Sequence, residues 1–106
     1  MAVILQVNFT PAPDQPAPEP EAAVRRAREI AALKGLQWKV WLRTEETGTR
    51  GGIYLFDDRA SAAAWEAELS RTLAANGATN IQIRHFDINA AQSEITRAPI
   101  KVAALA

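Results

Sequence analysis

The stretch 35–58, GLQWKVWLRTEETGTRGGIYLFDD, constrains the fold more than any other part of the chain, because it reads as two strands folded back on each other. Side chains alternate along an extended chain. Leu36, Trp38, Val40 and Leu42 are therefore expected on one face of the first strand, and Gln37, Lys39, Trp41 and Arg43 on the other. The second strand, 53–56, is short and wholly apolar, the pattern of a strand buried on both faces. Between them, 45–52 lacks apolar periodicity, and Gly48, Gly51 and Gly52 offer the backbone freedom of a turn. Trp38, Trp41 and Tyr54 on neighbouring strands make a flat aromatic surface that belongs in a core, a partner interface or a pocket wall.

The flanking segments complete the pattern. Residues 2–9 are nearly all apolar, which suits a central strand, with Gln6 and Asn8 sharing one face. Residues 10–20 contain five prolines; proline fixes φ and removes a donor, so this loop is expected to be extended, polyproline-like and outside any ladder. It joins the first strand to the first helix and is expected to form the mouth of a pocket. Pro20 suits the first turn of a helix running to about residue 34, with Ala23, Ala27, Ile30 and Ala31 as inner stripe and Gly35 as left-handed cap. Glu21 and Arg25 are spaced for an ion pair on its outer side. After the hairpin, Asp57 or Asp58 can cap a second helix whose Ala62, Trp65, Leu69 and Leu73 recur at helical spacing until Asn76-Gly77 stops it. A last strand, 79–88, divides into Ile81, Ile83, His85, Asp87 on one face and Gln82, Arg84, Phe86, Ile88 on the other. A short helical turn is expected before Pro99.

The order β-α-β-β-α-β, with right-handed crossovers, predicts an α+β ferredoxin-like fold: a four-stranded antiparallel sheet with two helices on one face. Large apolar groups occur on both faces of the strands, so the helix-free face needs a cover, and a second copy of the chain is the expected one. With 106 residues, one domain over 1–106 is expected, including the Pro-rich loop 10–20. The formal net charge of zero supplies no footprint for nucleic acid or an anionic membrane. The absence of cysteine excludes disulfides, thiolate metal sites and a cysteine nucleophile. The start, MAVILQVNF, lacks a basic region and cleavage site, and no apolar run reaches spanning length, so a cytoplasmic protein is expected.

LQWKVW at 36–41, GGIYLFDD at 51–58, HFDIN at 85–89 and the opening ILQVNF together resemble the YdhR-type monooxygenase family, small members of the dimeric α/β-barrel superfamily. The resemblance covers most of the chain. It implies a homodimer with facing sheets, a pocket between sheet and helices in each subunit, and oxygenase chemistry without metal or flavin. Two departures stand out. The Pro-rich loop is longer than the family pattern, and family members commonly carry histidine where this chain has Asn8 and an aliphatic residue where it has His85.

His85 is the only histidine, and Asp87, two residues on, shares its face. Imidazole titrates near neutrality, so the pair is a candidate base with an orienting carboxylate; a plain strand histidine at a sheet or dimer surface is the bland alternative. Trp38, Trp41 and Tyr54 could wall an aromatic substrate or fill a core. Because Trp38 and Trp41 point oppositely, at most one should line the pocket. Asn8 and Arg84, with Gln6, are polar groups on otherwise apolar strands that either hold a substrate oxyanion or bond to one another or to water. A lone histidine without cysteine makes no usual zinc site, and 48–52 lacks the Lys-Ser/Thr of a phosphate loop. The leading expectation is a homodimeric, cofactor-independent monooxygenase that ionises a small aromatic or polyketide-like substrate for direct reaction with dioxygen. The alternatives are a cofactor-free cyclase or isomerase in the same pocket, or a non-catalytic ligand-binding dimer.

Overall fold

Strand β1 (Val3–Thr10), helix α1 (Pro20–Ala31), strands β2 (Leu36–Arg43) and β3 (Arg50–Phe56), helix α2 (Arg59–Ala75), strand β4 (Thr79–Asp87) and helix α3 (Ala90–Ile95) follow one another in a computed structural model that describes residues 1–15 and 17–101. The strands form one sheet in the order β2-β3-β1-β4, every neighbouring pair antiparallel. This is the ferredoxin-like α+β arrangement expected from the element order, with α3 added after β4. Both long helices cover the same face. Ile30 of α1 and Ala62, Trp65, Leu69 and Leu73 of α2 pack on Val3, Leu5, Val7, Tyr54 and Phe56. Among the described residues, no helix is long and apolar enough to cross a membrane.

The ladder registers define rows of side chains across the helix-covered face. One row is Lys39, Tyr54, Leu5, His85; the next is Trp41, Gly52, Val7, Ile83; the third is Arg43, Arg50, Phe9. On the other face lie Trp38, Val40 and Leu42 of β2, Ile53 and Leu55 of β3, Ile4, Gln6 and Asn8 of β1, and Gln82, Arg84 and Phe86 of β4.

Leu36 and Trp38 do not share a face as the alternation predicts. Leu36 pairs with Phe56 but Trp38 with Leu55, so two steps on β2 match one on β3 and Gln37 is the extra residue of a bulge. The freed Gln37 side chain donates to Asp57 Oδ1 at 2.8 Å and to the Lys101 carbonyl at 3.1 Å, while its oxygen accepts from Lys101 N–H at 2.8 Å. Trp38 Nε1 donates to the Pro99 carbonyl at 2.8 Å. The segment after β4 thus crosses one end of the open face to reach the opposite edge strand.

The hairpin turn is also shorter than expected. Gly51 and Gly52 lie inside β3, not in the turn; only Gly48, at φ +71°, has a turn conformation. The reason is closeness to β1: a Cβ on Gly51 would fall 2.0 Å from the Val7 carbonyl oxygen.

Helix α1 ends at Ala31, before the expected boundary, as Leu33 N–H bonds back three residues to the Ile30 carbonyl and tightens the last turn. Gly35, at φ +79°, follows the helix and serves a close approach to Ser61. Of the expected stripe only Ile30 is buried; Ala23 and Ala31 are exposed. The ion pair on α1 joins Arg26 and Glu29 at 3.5 Å, not Glu21 and Arg25. The second helix matches its pattern closely. Asp58 is the cap, accepting from Ser61 N–H at 2.7 Å, and this bond holds the Asp58 carboxyl below its usual range.

Candidate functional site

An alanine-rich helix lying over a sheet leaves space that larger side chains would fill. A cavity of about 560 Å³ occupies that space, roofed by Ala22, Ala23 and Ala27 of α1 and closed behind by Leu69 and Leu73 of α2. Its floor is β3, flanked by Val7 and Phe9 of β1 and by Lys39 and Trp41 of β2. Pro11, Gln15 and Pro18 of the Pro-rich loop line its rim. That loop is not extended throughout: Pro13 and Asp14 form a turn closed by Gln15 N–H donating to the Ala12 carbonyl at 3.0 Å. Pro16 lies outside the described residues.

Lys39 is the one lysine of the lining. Its Nζ lies 3.3 Å from the centroid of the Trp41 ring and 4.6 Å from that of Tyr54. No carboxylate of the described residues forms a salt bridge with it. Burial, with a smaller contribution from the Arg26 charge, pulls its pKa down to about 7. The ring faces favour the ammonium form, but desolvation outweighs them. Lys39 thus exchanges a proton near neutrality, as histidine ordinarily does. Gly52 makes the room it occupies, since a Cβ there would lie 2.5 Å from Lys39 Cε.

Tyr54 is 2% exposed, stacks on Phe56 at 5.9 Å and meets Trp65 at 6.2 Å. Burial pushes its phenol above the usual value, with Trp65 and Arg26 acting the other way. It is therefore a neutral O–H at physiological pH. Arg26 reaches over the Trp65 ring at 5.7 Å. Arg26, Lys39 and Arg50 are the charged residues of the lining, which contains no aspartate or glutamate.

The other sequence candidates are dispersed. Trp41 and Tyr54 line the cavity while Trp38 lies on the open face, as their opposite orientation requires. Asn8 and Arg84 also lie on the open face, with Gln6, Gln82 and Phe86 around a shallow hollow of about 110 Å³. There Gln6 Nε2 donates to Asn8 Oδ1 at 3.1 Å. His85 shares a row with Tyr54, but Leu5 stands between them, a separation of roughly 10 Å at about 4.8 Å per strand. The imidazole is not part of the cavity lining; its Nε2 meets Glu66 of α2, and its buried Nδ1 has no partner among the described residues. Asp87 turns away to accept from Arg59 at 2.6 Å on the surface. The expected His85–Asp87 pair is replaced by two pairs with α2, because that helix brings Glu66 and Arg59 over the strand. Among the described residues, no three His, Cys, Asp or Glu side chains gather to hold a metal ion.

The family model described as "Putative mono-oxygenase ydhR" matches residues 4–99. The chain belongs to this family. The match includes LQWKVW, GGIYLFDD and HFDIN, the segments on which the resemblance rested, and thereby the whole cavity floor. The family is named for monooxygenase activity, which is the class of reaction the site must be read against. No curated protein matches the chain.

The sequence hides Lys39, because a lysine alternating with apolar residues along a strand reads as solvent-facing. One signal was available: Trp41, two residues on, shares its face, and GGIY supplies glycine and an aromatic ring opposite both.

Proposed function

We propose that the chain is a homodimeric, cofactor-independent monooxygenase acting on a small aromatic or polyketide-like substrate bound in the cavity beneath α1. The observation that carries this reading is the Lys39 amine, unpaired by any carboxylate of the described residues, against Trp41 and Tyr54 in an apolar cavity. The neutral amine accepts the proton of a phenol or enol, and the resulting anion is held by the new ammonium, Arg26 and the Tyr54 O–H. The electron-rich anion then reduces dioxygen at its activated carbon. A hydroperoxide forms and loses water, so that a CH₂ group becomes C=O; one oxygen atom stays in the product and the other leaves as water. The substrate supplies all four electrons, and the protein supplies desolvation, orientation and the proton acceptor.

Oxygen dependence tests this reading. Turnover of an anthrone-type probe should be accompanied by oxygen uptake and cease under nitrogen. Equal conversion of the probe under nitrogen would replace the oxygenase by an isomerase or cyclase using the same base.

The homodimer is supported by the open sheet face, where Val40, beside Ile53, and Phe86, beside Ile4, remain 49% and 44% exposed. A second copy stacking sheet on sheet would remove these groups from water. Light scattering at micromolar concentration should give twice the 11.5 kDa chain mass; a value near that of a single chain would refute the dimer.

A further inference from the structure

We infer that the cavity grips its ligand at two ends, with the ionisable hydroxyl or enol at Lys39 and Tyr54 and a separate acidic group at Arg50, so that its substrates are flat aromatic acids. The inference rests on the reading of this cavity as the substrate site, and it adds what the far end recognises.

Arg50 opens β3 and projects on the helix-covered face, because it pairs with Phe9 on one side and Arg43 on the other. Two arginines directly opposed on one face repel, a cost that sheets ordinarily avoid. Arg43 relieves its share by turning outward to Glu45 at 3.2 Å, where its side chain is 77% exposed. Arg50 makes no salt bridge with any described residue and lines the cavity instead. A partly buried arginine lining a cavity without carboxylates is a bidentate hydrogen-bond donor site for an anion.

Between the two ends β3 carries no side chain of its own, and the end of the Lys39 side chain lies over Gly52. On this face the one residue between Tyr54 and Arg50 is Gly52, so no side chain of β3 interrupts the slot. Four residues of strand separate the Cα atoms of Tyr54 and Arg50 by roughly 13 Å at about 3.3 Å per residue, and the long Arg50 side chain can shorten that span. Trp41, Val7 and Phe9 wall the slot with apolar surface. Flat shape, apolar middle, a proton-accepting amine at one end and a guanidinium at the other together describe a rigid aromatic ligand with a hydroxyl at one end and a carboxylate at the other.

The test compares 2-naphthol with 6-hydroxy-2-naphthoate by calorimetry, using full-length wild type, Arg50→Gln and Arg43→Gln at pH 7.5. Wild type should bind the hydroxynaphthoate more tightly by about tenfold to a hundredfold, the range of one charge-assisted contact. Arg50→Gln should abolish that preference while leaving 2-naphthol affinity unchanged, and Arg43→Gln should preserve it. Equal losses for both ligands, a preference surviving in Arg50→Gln, or no binding of the hydroxynaphthoate by a protein with a normal melting transition would each overturn the inference. Because binding is read without turnover, the two readings fail separately. A preference that depends on Arg50 in a protein consuming no oxygen refutes only the oxygenase, whereas oxygen-dependent turnover without that preference refutes only the second anchor.

Discussion

Replacing Lys39 with methionine should lower oxygen-dependent turnover by about a hundredfold or more, the usual contribution of a positioned base. The fold should survive, since methionine keeps the length and the apolar stem packed between Trp41 and Tyr54. In the wild type, kcat/KM should rise with pH through about 7 and level off above it, because only the neutral amine accepts a proton. Lys39→Arg should not restore activity, as guanidinium stays charged. Stability carries a second signature. The unfolded lysine titrates at 10.5 and the folded one at about 7, so between these values the unfolded state binds more protons and stability rises with pH. Below about pH 7 both states are protonated and the full cost of burying the charge is present. The melting temperature of the wild type should therefore gain on that of Lys39→Met from pH 7 to 10.5. A variant that keeps the wild-type rate and pH profile would remove Lys39 from the mechanism. If His85→Gln instead abolished turnover, the base would be His85.

Two adjacent glycines should respond in opposite ways. Gly51→Ala places a Cβ 2.0 Å from the Val7 carbonyl oxygen and 3.1 Å from Asn8 Cα. These are backbone atoms of the central strand β1 and can move only if the β1–β3 ladder opens. The expected cost is about 3 kcal/mol, or a melting temperature lower by roughly 15 °C. Gly52→Ala meets Lys39 Cε at 2.5 Å, the far end of a flexible side chain that can swing aside. It should melt close to the wild type yet lose most activity, because the amine is pushed away from Tyr54. Thermal melts and oxygen uptake on both variants decide the matter. Equal stability of the two would mean that β1 and β3 do not approach as closely as described.

Much of this fold was legible in the chain. Helix α2 was readable because Ala62, Trp65, Leu69 and Leu73 repeat every three to four residues and Asp58 caps them, and all four are buried. The opposite placement of Trp38 and Trp41 followed from strand alternation alone, whatever the register. The family, too, was recognisable from short runs within the strands. The bulge was not readable. An extra residue in a strand leaves no local mark when its neighbours are Leu36 and Trp38, both apolar, and the gain that stabilises it comes from Lys101, far along the chain.

The candidate site shows the same division. Sequence picked out His85 as the titratable group because an isolated imidazole titrates near neutrality and an isolated lysine does not. That contrast holds in water, and burial removes it for Lys39. The Lys39 pKa falls to about 7 because the surrounding fold excludes solvent from it, a property of no single residue. His85 met Glu66 instead of Asp87 because the phase of α2 over β4 places that carboxylate there.

The sequence by itself determined the order of strands and helices, the family, and which residues alternate across each strand. These depend on local backbone geometry and on apolar periodicity, both of which act over a few neighbours. Tertiary structure alone decided that a thin alanine helix would leave a cavity, that Gly52 would make room for Lys39 on its floor, and that burial would pull the pKa of that lysine down to about 7. Those outcomes depend on which surfaces exclude water from which charges, and desolvation is set by the assembled neighbourhood.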